Sequence, residues 1–152
     1  MPERLRCHVT VAAVLAERGR YLFVEERAGG RRVLNQPAGH LEAGEDLLEA
    51  IIREVREETC LDFLPEAWLG CDLLTLSGGA VSLRVAFTGA ARPLPGPLQR
   101  DPVILATHWL TLEEARAQWR LRSPLVERSI LRFQSGMRLP LESVGTLIAT
   151  PS

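Results

Sequence analysis

Three glutamates near the middle of the chain have the spacing of side chains that share one flank of a helix. Glu54, Glu57 and Glu58 stand at i, i+3 and i+4, so a helix brings their carboxylates to about 5–6 Å from one another. At an effective dielectric near 20, each such pair repels by roughly 3 kcal/mol. Arg53 offsets one of these charges but not three. A solvated helix face is one explanation, and a bound Mg²⁺ or Mn²⁺ ion is the other, because both ions prefer oxygen ligands.

The helix that must position these carboxylates is predicted over residues 46–59. Apolar residues recur there every three or four positions, the period of a helix with one buried face. Asp46 begins the helix and Glu49 follows three residues later, which is the spacing of a capping box. Before the helix, Gly39 and Gly44 lie in a loop, where glycine lets the backbone approach a ligand or a metal closely and leaves carbonyl groups free to coordinate.

The rest of the chain predicts a mixed sheet between helical layers, an α/β (α+β) fold. Strands are expected at 8–17 and 21–26, joined as a hairpin at Arg18-Gly19, and at 33–39, 68–76, 81–88 and 105–110. A helix with a capping box of its own is expected from Thr111. Another is expected from Ser123-Pro124 to about Gly136, with serine as the cap and proline as the first helical residue. Loops are expected at 27–32 and 91–102.

Composition excludes several classes of function. The 152 residues are 46% hydrophobic and 24% charged with a net charge of −1, so neither nucleic acid nor a membrane is an expected partner. The 18 basic residues are all arginine, which excludes a Schiff-base lysine and the lysine of a Walker A loop. Three cysteines without CxxC spacing argue against a disulfide framework and favour a cytoplasmic location. The sequence leaves open whether the chain is a monomer or a homodimer.

The glutamate segment resembles the Nudix box, G-x5-E-x7-R-E-U-x-E-E-x-G-U with U aliphatic. The matching positions are Gly39, Glu45, Arg53, Glu54, Val55, Glu57, Glu58 and Leu61. Cys60 stands where the family has glycine, a residue expected just past the helix end in a left-handed conformation. Cysteine there is expected to cost on the order of 1 kcal/mol. The resemblance implies a single Nudix-type α/β/α sandwich over residues 1–152, with the box at 39–61 and a helix and tail at 123–152.

The resemblance also implies a function, the metal-dependent hydrolysis of phosphoanhydrides with Mg²⁺ or Mn²⁺ as cofactor. Glu54, Glu57 and Glu58 are the implied metal ligands, and the carbonyl of Gly39 is implied to complete a coordination shell. The substrate is a nucleotide or another small molecule that contains a diphosphate. Either Glu57 or Glu58 is expected to take the proton of the attacking water, and the sequence leaves that choice open.

Two further box residues are implied to support the carboxylates. Arg53 is expected to hold a glutamate in its productive rotamer through charge-assisted hydrogen bonds. Glu45 is expected to brace the loop or the helix and to assist the metal site. Both roles come from the family resemblance.

Beyond the box, the chain resembles the bacterial NudJ-type phosphatases. The likeness runs from about Cys7 to Gly145 and rests on CHVTVAAVL, LNQPAGHLE and LRSPLVERSILRFQSGMRLPLE. It implies release of orthophosphate from nucleoside tri- and diphosphates, hydroxymethylpyrimidine pyrophosphate and thiamine pyrophosphate. One departure is Leu34, where this group carries tryptophan, and the missing ring is expected to alter stacking on the substrate.

Five residues outside the carboxylate set are candidates for substrate contact. They are Gln36, His40, Arg84, Arg122 and Ser123. Arg122 and Ser123 stand at a predicted helix N-terminus, where backbone N–H groups and the helix dipole favour an anion. A purely structural role stays open for three of them. Ser123 could be an ordinary helix cap, His40 a hydrogen-bond donor within its loop, and Arg84 a solvated strand residue.

Other functions also remain open on the sequence. A MutT-like enzyme would convert nucleoside triphosphates to monophosphate and pyrophosphate. An ADP-ribose or dinucleoside-polyphosphate hydrolase is disfavoured, because residues 75–77 supply neither the proline nor the tyrosine of those groups. A Nudix-fold module that binds a nucleotide without turnover is disfavoured because the box carboxylates are all present.

Overall fold

The computed structural model describes residues 2–147 of the chain. The strands are β1 (His8–Val14), β2 (Ala16–Glu17), β3 (Arg20–Ala28), β4 (Arg31–Asn35), β5 (Ala38–His40), β6 (Leu61–Thr75), β7 (Val81–Pro93) and β8 (Ala106–Leu110). The helices are α1 (Leu47–Thr59), α2 (Leu112–Gln118) and α3 (Pro124–Gln134), and a 3₁₀ turn follows at Leu141–Ser143. No helix within these described residues is both long and apolar enough to cross a membrane.

A four-stranded mixed sheet forms the scaffold of the site, in the order β5-β1-β7-β6. Strands β1 and β7 run parallel, whereas β5 and β6 pair antiparallel with their neighbours. The apolar face of α1 packs on one side of the sheet through Ile51 and Val55. On the other side, α3 packs through Val126 and Ile130. The predicted mixed sheet between helical layers is confirmed.

A second sheet has the order β2-β3-β4, with β8 paired to β3. The predicted hairpin of 8–17 with 21–26 is wrong in extent, because only Ala16 and Glu17 pair with β3. Residues 8–14 belong to the mixed sheet instead, and the chain changes sheets at the buried Leu15. A continuous β-rich run does not reveal such a change, since both strands have the same residue preferences.

Two predicted loops are shorter than expected. Strand β3 continues to Ala28 and β4 begins at Arg31, so only Gly29-Gly30 remain between them. Both glycines have left-handed φ values, 57° and 75°, as a two-residue hairpin turn requires. Strand β7 extends to Pro93 because its last residues pair with the start of β6, which the proline-rich composition concealed.

The predicted ends of α1 are confirmed. Asp46 is the N-cap and forms a reciprocal capping box with Glu49. The C-cap is Cys60, with φ 59° and ψ 27°, the left-handed conformation expected of the family glycine. Its N–H donates to the carbonyl of Arg56 at 2.9 Å. The capping boxes of α1 and α2 and the serine cap of α3 are therefore all local features that the sequence predicts.

Candidate metal centre and substrate cleft

Glu54 is fixed between the helix and the edge strand β5. Its side chain lies at the boundary of the buried face of α1, and 9% of the residue is exposed. The carboxylate packs so closely on Gly39 that a Cβ added there would lie 2.0 Å from Glu54 Oε1. Only glycine fits this position while Glu54 keeps its place. Burial, the largest effect, raises the pKa of Glu54 although Arg53 opposes it.

Glu58 is the most deeply buried carboxylate of the box. One oxygen accepts a hydrogen bond from the N–H of Ala38 at 3.1 Å. Burial, foremost, together with the negative charges of Glu54, Glu26 and Asp101, raises the pKa of Glu58 to about 9. Burial and like charges both disfavour the ionised form of Glu58, and a hard cation at this place would reverse that preference.

Arg53 joins the loop before α1 to the glutamates on it. Its Nε and Nη2 donate to the two oxygens of Glu45 at 2.9 and 2.7 Å. Its Nη1 donates to Glu54 at 2.8 Å and to Glu57 at 3.3 Å, and Nη2 also donates to the carbonyl of His40 at 3.0 Å. The hydrogen bonds to Glu45, foremost, raise the pKa of Arg53. These contacts join the loop and the helix in one hydrogen-bonded network centred on Arg53.

Glu57 is separate from the other two glutamates. Its side chain is 46% exposed and turns towards Arg53. Among residues 2–147, no three His, Cys, Asp or Glu side chains converge closely enough to form a metal site. The structure thus brings Glu54 and Glu58 to the same edge of the sheet and leaves Glu57 beside them. The Glu57 side chain is partly exposed to solvent, so it is the least constrained of the three.

An open cleft of about 440 Å³ lies beside these carboxylates. Its lining includes Ala38 and Gly39, which contact Glu58 and Glu54, together with Glu26 and Asn35. The floor is the part of the mixed sheet that α3 leaves uncovered. Residues that pair across neighbouring strands form rows on this floor. One row holds His40, Thr10 and Arg84, and the next holds His8, Ser82 and Leu74. The cleft is therefore cationic near α3 and becomes apolar towards the β6–β7 turn, where Leu76 and Ala80 line it.

Four of the five predicted substrate contacts line this cleft: His40, Arg84, Arg122 and Ser123. Arg122 donates to Glu26 at 2.7 Å, and the Ser123 hydroxyl caps α3 by accepting from Leu125 N–H at 3.2 Å. The ring of His40 lies edge-on to that of His8, with centroids 5.5 Å apart. The fifth, Gln36, does not line the cleft, because it is buried and only 1% of it is exposed.

Some residues of the site carry no sequence signal. Glu26 and Asp101 are separated from the box in sequence, yet their charges act on Glu58. Asp101 is brought there by its N–H, which donates to the carbonyl of Glu57 at 2.7 Å. The structure does not support the expectation that position 34 stacks on the substrate. Leu34 is fully buried in the core with α3, so it offers no stacking surface in the cleft.

Comparison with known proteins agrees with this architecture. The NUDIX domain family matches residues 5–130. Phosphatase NudJ of Escherichia coli K12 is 40% identical over 138 residues, which cover 91% of this chain and 90% of that protein. The NUDIX hydrolase from Nitrosomonas europaea superposes with a TM-score of 0.87 at 40% identity, over 93% of this chain and 98% of that one. The NUDIX domain of Shewanella oneidensis NrtR complexed with ADP ribose shares the fold at 17% identity and a TM-score of 0.66, over 88% and 90% of the two chains.

The fold and the acidic helix define a hydrolase that acts on phosphoanhydrides. The chain belongs to the NUDIX family. The resemblance of the glutamate segment to the Nudix box is thereby confirmed.

Proposed function

We propose that this enzyme is a Mg²⁺-dependent phosphatase that releases orthophosphate from nucleoside tri- and diphosphates. Its proposed substrates include hydroxymethylpyrimidine pyrophosphate and thiamine pyrophosphate. The observation that carries the proposal is one cleft with two kinds of charge: Gly39 on one side packs on buried Glu54, and Arg84 and Arg122 line the other. A phosphoanhydride fits between a cation held by carboxylates and a pair of guanidinium groups. The 40% identity to a protein named a phosphatase supports the same reaction.

The donor set fits Mg²⁺, with Mn²⁺ as a substitute. Glu54 and Glu58 supply oxygen ligands, the Gly39 carbonyl lies on the neighbouring edge strand, and Glu57 joins the set when its carboxylate leaves Arg53. When bound, the ion neutralises phosphate charge and lowers the pKa of an attacking water. Arg53 holds Glu54 in place throughout, because Glu45 anchors its guanidinium from the other side.

The cleft also orients the organic part of the substrate. On the floor, Thr10 lies in the same row as Arg84, Ser82 and Leu74 lie in the next row, and Leu76 lies farther out. With the phosphates at Arg84, a ring extends over the hydroxyl groups towards the leucines, where apolar surface is removed from water. His40 and Ser123 border this path.

Phosphorus NMR of the products tests the reaction. ATP, ADP and hydroxymethylpyrimidine pyrophosphate are each incubated with the enzyme, with and without Mg²⁺. Mg²⁺-dependent orthophosphate from all three supports the proposal. Pyrophosphate from ATP, with ADP and the pyrimidine compound untouched, identifies a MutT-like pyrophosphohydrolase instead.

Substitution of Glu57 separates an enzyme from a binding module. In an enzyme, Glu57→Gln lowers kcat by orders of magnitude, since the residue ligates metal or accepts a proton. A non-catalytic module shows no turnover in the wild type, and its Glu57→Gln variant keeps its affinity for the nucleotide in the absence of metal. The two patterns are mutually exclusive.

A further inference from the structure

Arg84 is a buried cation without a carboxylate partner. The residue is 6% exposed and lies in the cleft floor. Its guanidinium donates to Asn35 Oδ1 at 3.4 and 3.3 Å and to Gln36 Oε1 at 2.5 Å. Both acceptors are neutral amide oxygens, and within residues 2–147 no acidic side chain forms a salt bridge with it. Its buried Nε has no hydrogen-bond partner among the described residues.

Such an arrangement is costly, because a buried charge is ordinarily paired. Burial lowers the pKa of Arg84 to about 10, so the side chain is still charged at neutral pH. The charges of Glu26, Glu58 and Asp72 raise this pKa, whereas the like charge of Arg122 lowers it. An anion placed between the two guanidinium groups reduces their repulsion and gives Arg84 an oppositely charged partner.

The carboxylates that could neutralise Arg84 are engaged elsewhere. Asp72 lies directly opposite Arg84 on β6, yet its carboxylate accepts from Arg128 at 3.0 Å and from Arg132 at 2.8 Å. Glu26, at the cleft wall, accepts from Arg122 at 2.7 Å. Acidic residues therefore lie near Arg84 and act on its charge from a distance, but within residues 2–147 none of them forms an ion pair with it.

The two amides are held in orientations that suit Arg84. Gln36 donates through Nε2 to the carbonyl of Val126 at 2.6 Å, which leaves Oε1 facing the guanidinium. Asn35 donates through Nδ2 to Glu26 at 3.3 Å, which leaves Oδ1 facing it. Each position needs a donor on one side and an acceptor on the other. An amide supplies both, whereas a carboxylate supplies only acceptors.

We propose that Asn35 and Gln36 form a neutral clamp that fixes Arg84 without neutralising it, so that its charge binds a phosphate group of the substrate at the cleft floor. The inference rests on the proposed function and adds an anion subsite built from the chain's own side chains, separate from the carboxylates of α1. The ligand class is a phosphate or diphosphate group, bound between Arg84 and Arg122. Gln36 is a positioning residue, which explains why a buried side chain belongs to the site.

Gln36→Glu tests the clamp, because it changes the charge beside Arg84 with almost no change of shape. Binding of inorganic pyrophosphate is measured by calorimetry with Mg²⁺ and without it, and KM and kcat are measured with an organic diphosphate. We expect the affinity to fall by roughly 10- to 100-fold and KM to rise similarly, since a charge-assisted hydrogen bond to the anion is lost. We expect kcat to change much less. Gln118→Glu adds the same charge at an exposed site on α2 and serves as the control.

A neutral variant separates charge from packing. Gln36→Met removes the hydrogen bonds without adding a carboxylate, so it should weaken pyrophosphate binding less than Gln36→Glu does. The reverse order, or unchanged affinity in a folded Gln36→Glu protein, would overturn the proposal. If Gln36→Glu does not fold, Asn35→Asp places a carboxylate on the same guanidinium and must weaken binding in the same way.

The calorimetry also distinguishes this inference from the proposed reaction. If the wild-type protein binds pyrophosphate through Arg84 but hydrolyses no substrate, the anion subsite stands and the proposed phosphatase activity is refuted. If the wild-type protein hydrolyses substrates, and the Gln36→Glu variant binds pyrophosphate and turns over substrate normally, the phosphatase activity stands and the clamp is refuted.

Discussion

Replacement of Gly39 by alanine should disable the site while leaving the fold intact. The added Cβ would lie 2.0 Å from Oε1 and 2.5 Å from Oε2 of Glu54. Ordinary contact begins at 3.4 Å, so the carboxylate must retreat by about 1.4 Å, the difference between 3.4 and 2.0 Å. The φ of Gly39 is outside the left-handed region, so alanine adds no backbone strain there. The perturbation is therefore confined to Glu54.

The magnitude follows from that displacement. Because an error of about 1 Å in a catalytic group can cost about 100-fold in rate, kcat/KM for Mg²⁺-dependent orthophosphate release should fall by on the order of 100-fold, or about 2.7 kcal/mol of transition-state stabilisation. The apparent affinity for Mg²⁺ should fall with it. The free energy of unfolding without metal should change little, because burial raises the pKa of Glu54 and so disfavours its charged form in the fold.

Steady-state phosphate release, Mg²⁺ titration and urea unfolding measure these three quantities. Gly78→Ala is the matched control: an added Cβ there meets no atom within 4 Å, and its φ is also outside the left-handed region. A Gly39→Ala enzyme with Mg²⁺ affinity and kcat/KM within about threefold of the control would refute the argument that Gly39 makes space for a metal-binding Glu54.

Three further predictions concern stability. Cys60→Gly should raise the free energy of unfolding by about 0.5–1 kcal/mol, because glycine adopts the left-handed φ of 59° without strain. The melting temperature Tm should rise by about 2–4 °C per kcal/mol, and an unchanged Tm would contradict this. Glu58 carries a pKa raised to about 9 by burial, so the metal-free folded state binds a proton that the unfolded chain releases near its ordinary value of 4.5. Stability in EDTA should therefore fall as pH rises between these two values, and Glu58→Gln should flatten the profile; a wild-type profile already flat would show that Glu58 is ionised. His108→Ala should cost about 1–3 kcal/mol in urea unfolding without lowering kcat, because it removes a 2.8 Å partner from Glu25. Burial raises the pKa of Glu25, but the hydrogen bonds from His108 and Arg32 outweigh it and leave the pKa lowered. A loss of activity at unchanged stability would count against this role.

Local features of the chain were predictable because their causes are local. The capping boxes of α1 and α2 depend on side chains three residues apart, and the left-handed Cys60 follows from the place where α1 ends. The carboxylate pattern of α1 predicts a metal site for the same reason: helical geometry alone sets which side chains are neighbours. Strand pairing depends on residues far apart in sequence, so the change of sheet at Leu15 and the length of β7 were not predictable.

The sequence by itself determined the family, the class of reaction and the helix that bears the glutamates, since these reside in residue types at fixed spacing along one helix. Only the tertiary structure decided how the glutamates divide into two buried carboxylates and an exposed one, because burial depends on what packs against the helix. It also decided that Gln36 is buried and that Arg84 has amide rather than carboxylate partners. Those facts depend on residues 48 and more positions apart, which come together only when the strands pair and α3 packs against the sheet.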